Sequence, residues 1–163
     1  MIRNCGELGT NLRKIIDRLL KNDKLVRLLY YINDDPFNDS LTEHKLSENQ
    51  SKIFGELIKI IPRVDKETAH SVVVVYIQRG SRLGSNSEFR NIRITVDVLV
   101  PMTQWIINDT NLRPFAILGE IQASLDGKTI NGLGKISGGD FELNFLTDDV
   151  ACYQQIFEIT EYA

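Results

Sequence analysis

Ser71-Val72-Val73-Val74-Val75-Tyr76-Ile77-Gln78 and Asn91-Ile92-Arg93-Ile94-Thr95-Val96-Asp97-Val98-Leu99-Val100 decide the fold. The first stretch is a continuous β-branched and aromatic run, which predicts a strand buried on both faces. The second alternates. Ile92, Ile94, Val96, Val98 and Val100 point to a core, while Arg93, Thr95, Asp97 and Leu99 point to a partly wet face. Pro101 ends it. Residues 79–90 contain Gly80, Gly84 and many polar groups, so they predict a mobile hairpin loop between two antiparallel strands.

Upstream, the pattern is helical. Leu8, Leu12, Ile15, Ile16 and Leu19 recur on one face, with Arg13, Lys14, Asp17 and Arg18 opposite. Asn22-Asp23 interrupts the helix, and Asp23 is the expected cap of a second piece carrying Leu25, Val26, Leu28 and Leu29. Asp34-Asp35-Pro36 ends that piece. Residues 33–49 read as a polar loop. Ser47-Glu48-Asn49-Gln50 has the form of a capping box before a short helix. Residues 57–61 are apolar and stop at Pro62, as a short strand or a helix tail.

Downstream, Thr110 or Asn111 caps a helix with Pro114 in its first turn and an apolar stripe of Phe115, Leu118, Ile121 and Leu125. Gly127 closes it. Residues 130–136 and 140–145 read as a hairpin around Ser137-Gly138-Gly139, and residues 153–159 as a last strand. The expected fold class is α+β. It is an antiparallel sheet of about four to five strands packed against an N-terminal helix and a central helix, in one domain over residues 1–163.

The 163 residues suit one domain able to bury a core without staples. The longest apolar run, residues 72–77, is too short to span a bilayer. The first ten residues lack an apolar h-region, so synthesis in a cytoplasm is expected. Cys5 and Cys152 have no ligand spacing and read as free thiols. The net charge of −3 weighs against phosphate binding as the main activity.

Candidate chemistry is sparse. His44 and His70 have no H-x-x-x-H neighbour and read as exposed histidines. The acidic pairs Asp34-Asp35 and Asp148-Asp149 do not fit a calcium loop. Gly132-Leu133-Gly134 and Ser137-Gly138-Gly139 lack the lysine and helix of a phosphate loop and read as turns. No metal, no cofactor and no catalytic set is expected, so the chain is not read as an enzyme. The subunit-interface candidates are Arg79, Arg82, Arg90 and Arg93, whose guanidinium groups suit bidentate pairing with acidic groups on a neighbour. Trp105, between strand and helix, is read as core or as interface.

The order of elements resembles the tail terminator (tail completion, or neck) proteins of tailed bacteriophages. The likeness runs through residues 12–20 and 25–31, Lys59-Ile60-Ile61-Pro62, the strands at 72–78 and 91–100, Trp105, the helix over 113–125 with Asp126-Gly127, and Tyr153 and Phe157. The resemblance implies a structural virion protein. It would form a hexameric ring at the head-proximal end of the tail, stop tube polymerisation and join the tail to the head connector or stopper protein. The implied partners are copies of itself, the tail tube protein and the connector. DNA would pass through the lumen without specific binding, and no membrane would be involved. The protein would be made in the host bacterial cytoplasm and end in the virion. Other readings are a different connector, adaptor or contractile-injection subunit, or a small-molecule-binding domain.

Overall fold

The computed structural model describes residues 5–61, 69–82, 89–108 and 110–160. Four helices, α1 (Gly6–Leu20), α2 (Asp23–Tyr30), α3 (Ser47–Lys52) and α4 (Arg113–Leu125), accompany eight strands. These are β1 (Ile58–Lys59), β2 (Val72–Arg82), β3 (Phe89–Pro101), β4 (Ile106–Ile107), β5 (Asn111–Leu112), β6 (Thr129–Ile130), β7 (Gly134–Leu146) and β8 (Val150–Thr160). Six strands form one sheet in the order β1-β2-β3-β8-β7-β6, and β4 and β5 form a separate pair. The class is α+β as expected, with more strands than the four to five predicted.

The two deciding stretches pair antiparallel as β2 and β3, with Val73 opposite Val98 and Val75 opposite Val96. Their pairing continues through Arg82 and Phe89. Both ends of the loop expected at 79–90 are therefore strand, and its centre, residues 83–88, lies outside the described residues. Ladder hydrogen bonds outweigh the turn preference of Gly80, and a register shift between Ile77 and Arg79 absorbs the misfit. The hairpin expected around Ser137-Gly138-Gly139 is absent. Those residues lie inside β7, and the two glycines sit at a bulge with φ of 134° and 120°. A side chain at Gly138 would meet the Ile156 carbonyl at 2.6 Å, so glycine there permits close strand approach.

The helices cover one face of the sheet. Ile15, Ile16 and Leu19 of α1, Leu25, Leu28 and Leu29 of α2, and Ile117, Ile121 and Leu125 of α4 pack on Val73, Val75, Ile94, Val96, Val98 and Phe157. Asn22, not Asp23, caps α2. Its side-chain oxygen accepts from the Leu25 amide at 3.0 Å, and its own amide donates to Glu120 and Ser124 of α4. No side-chain cap opens α3, since Ser47 is its first residue rather than its cap. Nor does one open α4, where Leu112 holds the cap position.

His44 is not exposed but 2% accessible. Its Nδ1 lies 2.8 Å from the Tyr31 hydroxyl and its Nε2 2.8 Å from an Asp23 oxygen. Burial pushes the Asp23 carboxyl up, but hydrogen bonds from His44 and Arg27 outweigh it and hold it below its ordinary value. Arg27 also donates to the carbonyls of Pro36 and Asn38. The polar loop at 33–49 is thus tied to α2 by its backbone and by one short 3-10 turn (Glu43–Lys45).

The opposite face of the sheet holds a smaller core of Val72, Val74, Leu99, Val150 and Cys152, flanked by Tyr76 and Phe145. Thr95, Asp97 and Leu99 are buried there, contrary to the expectation of a partly wet face. Asp97 accepts from Gln154 at 3.3 Å and hydrogen-bonds Tyr76. Burial raises its pKa above the ordinary 3.8 despite those bonds. The folded state therefore holds a proton that the unfolded chain releases. That contribution is complete below pH 3.8 and is lost as pH rises through the folded value. Asp97→Asn, which does not titrate, is expected to gain thermal midpoint over wild type as pH rises from 4 to 7. A gap that stays constant across that range would refute the assignment.

Candidate assembly surface

The sheet has two long open edges. On one side β1 pairs only with Val73 and Val74 of β2, so among the described residues no strand covers positions 75–82. On the other side β6 pairs only with Gly134 and Lys135 of β7, the Ile136 backbone bonds Gly127 and Lys128, and no described strand covers positions 137–146. Uncovered edges present rows of backbone donors and acceptors to any strand that approaches. Between them, β2, β3, β8 and β7 alternate in direction. With four strands the two edges run antiparallel to each other. A second copy in the same orientation would set its β2 antiparallel to β7 and keep its helices on the same side.

The edges differ in charge. Arg79 and Arg82 are exposed on β2, whereas Asp140 and Glu142 are exposed on β7. Facing edges of opposite sign favour this register of partners over β7 against β7.

An aromatic cluster lies beside the β7 edge on the helix side. The rings of Phe115, Phe141 and Tyr153 lie 5.4 to 6.1 Å apart, and Trp105 lies 6.4 Å from Tyr153. Phe141 is 51% exposed, Leu143 49% and Phe115 40%. Trp105 is half-buried and packs against the core, so it underlies this surface. Phe115 had been expected in the buried stripe of α4. Its stripe is instead Ile117, Leu118, Ile121 and Leu125, which turns Phe115 outward. The alternation of Phe141 and Leu143 was visible in the sequence, but not that their face outruns the helix layer.

The arginine candidates separate. Arg79 and Arg93 are cross-strand neighbours. Arg93 pairs with Glu158 of its own chain, at 2.9 Å, and both groups are about two-fifths exposed. Such a pair adds little stability, but it supplies Arg93 with a partner inside its own chain. The side chain of Arg90 lies outside the described residues.

Among the described residues no group of three or more His, Cys, Asp and Glu is placed to hold a metal ion. Cys152 is fully buried and Cys5 exposed. Burial first, then the nearby Asp97 charge, pushes the Cys152 thiol up to about 12. One thiol, Cys5, is expected to react at once with a thiol-specific dye at pH 8, and the second only after unfolding. Two fast thiols in the folded protein would contradict the placement of Cys152.

Among curated proteins none matches the chain. A model of the YomW family matches residues 22–159, which include α2, α4 and every strand of the main sheet. The match covers well over half of the chain, and the protein therefore belongs to the YomW family, a phage-derived family of the SPbeta-like prophage type.

Proposed function

We propose that this protein is a structural subunit of a phage virion that closes into a ring at the head-proximal end of the tail. There it ends tube polymerisation and joins the tail to the head connector. The observation that carries the reading is the pair of open sheet edges, opposite in direction and in charge. Two different patches per subunit make a heterologous contact, and such contacts close into rings when the rotation suits. The exposed aromatic cluster beside β7 adds the apolar area that a lasting interface needs. The phage origin of the family and the element order of tail terminators support the same reading. The tube protein and the connector or stopper are the proposed axial partners, and the lumen passes DNA.

Native mass spectrometry over a concentration series tests this directly. A discrete species near six times 18.6 kDa is expected. Hydrogen exchange on that species is expected to show new protection in both 75–82 and 137–146. A strict monomer at every concentration, with tube protein present or absent, would overturn the ring. A ring protected only at its helices would overturn the edge contact.

A further inference from the structure

A second surface, distant from the β7 edge in charge and in composition, carries an independent inference. An open groove of about 710 Å³ runs between α1, the end of α4 and β6. Lys14, Arg18, Lys21 and Lys128 line it, against one carboxylate, Asp17. Asp17 is already paired with Arg13 at 2.9 Å. The groove is therefore strongly positive on a chain whose net charge is −3. Clustering of this kind creates a local field that the overall charge does not reveal.

Two of the four cations are held in place. The Lys14 ammonium donates to the Asn131 carbonyl at 2.8 Å, and Arg18 Nε donates to the Ser124 carbonyl at 2.8 Å. Both groups keep further N–H donors for a ligand. Lys21 and Lys128 are exposed at the rim.

Their arrangement is a row. Lys14 and Arg18 on α1 and Lys21 at its C-terminal cap follow at spacings of four and three, so they share one face. From Lys14 to Lys21 the helix rises about 10 Å. A single small anion would need cations converging on one point. A row suits a polymer whose negative charges repeat along its length, as do the phosphates of nucleic acid, about 3.4 Å apart along the axis for each strand.

We infer that this groove binds the phosphodiester backbone of DNA without reading its sequence. Arg18 and Lys14 form the fixed floor, and Lys21 and Lys128 make the outer phosphate contacts. Phosphate contacts of this kind position a duplex but carry no base preference. The inference does not depend on ring formation, because the groove lies within one chain.

Fluorescence anisotropy with a labelled 20-base-pair duplex of arbitrary sequence, titrated from 50 to 200 mM salt, tests it. Binding is expected at the lowest salt, with equal affinity for an unrelated sequence. Lys21→Gln/Lys128→Gln is expected to flatten the log–log salt slope by roughly 1.8, the loss of two phosphate contacts. Lys45→Gln/Lys52→Gln, exposed and outside both the groove and the sheet edges, serves as the comparison and is expected to leave the slope unchanged. No binding at 50 mM salt would overturn the inference. So would a slope that changes only in the comparison variant, or a polyglutamate of equal charge that competes as well as unlabelled duplex. Circular dichroism and urea midpoints of both variants separate lost binding from lost folding.

Discussion

Arg113→Ala is expected to lower the unfolding free energy by about 4 kcal/mol or more, read from urea midpoints at pH 7. Among the described residues Arg113 is the largest fully buried side chain, and none of its hydrogen bonds goes to a carboxylate. Its guanidinium donates instead to four backbone carbonyls, those of Leu28, Tyr31, Asn33 and Gln104. Leu28 lies in the last turn of α2, where helix carbonyls lack partners and the helix end is negative. One planar cation thus closes α2, fixes the start of the 33–49 loop and anchors the segment after β3. Burial lowers its pKa to about 10, which still leaves it charged at neutral pH. Alanine would leave a cavity and strand several buried acceptors, each costing roughly 1–3 kcal/mol, though such terms do not simply add. Arg113→Lys separates charge from geometry. A single ammonium cannot span carbonyls from three segments, so lysine is expected to recover less than half of the loss. A lysine variant as stable as wild type would show that the fork geometry is irrelevant.

Phe141→Lys/Leu143→Lys is expected to abolish the ring at concentrations where the wild type assembles, with a thermal midpoint unchanged at dilutions where both are monomeric. Both residues are half exposed in the single chain, so replacing them removes little from its core. In an interface they would be central, and truncating a central apolar contact typically costs about 2 kcal/mol or more. Two per contact would weaken each contact by roughly a thousandfold, since 1.4 kcal/mol is about tenfold. Lysine on an edge strand also adds repulsion toward the arginine-bearing edge of β2. Native mass spectrometry of the concentrated samples, and melting after dilution to where the wild type too is monomeric, give the two readouts. A full ring from the double variant would remove the β7 edge from the interface. A lowered midpoint would mean that these side chains serve the fold itself.

Much of the fold was legible because burial and period coincide. The Val72–Val75 run reads as a strand buried on both faces, and all four residues are buried. The alternation of Ile92 through Val100 matches the helix-covered face of β3. The errors cluster where tertiary contacts override local preference. Gly138 and Gly139 suggest a turn, yet β8 offers a ladder on both sides of them and the glycines become a bulge. His44 sits in a charged stretch, yet Tyr31 and Asp23 come from α2 to enclose it. No local pattern signals that meeting.

Sequence alone determined the class of this protein. Helical and strand periods, with proline and glycine at the breaks, specify which segments form helices and which form β2, β3 and β8, because these choices depend on neighbours within a few residues. The family match rests on sequence as well. Only the tertiary structure decided which edges of the sheet stay open, that Arg113 is a buried clamp, and that Lys14, Arg18 and Lys21 meet Lys128 across a groove. Those facts depend on segments more than a hundred residues apart in the chain being brought together, as with Lys14 and Asn131. A charge or a strand edge acquires its surroundings only when the remote parts have packed, so its function is written in the assembled surface and not in its neighbours along the chain.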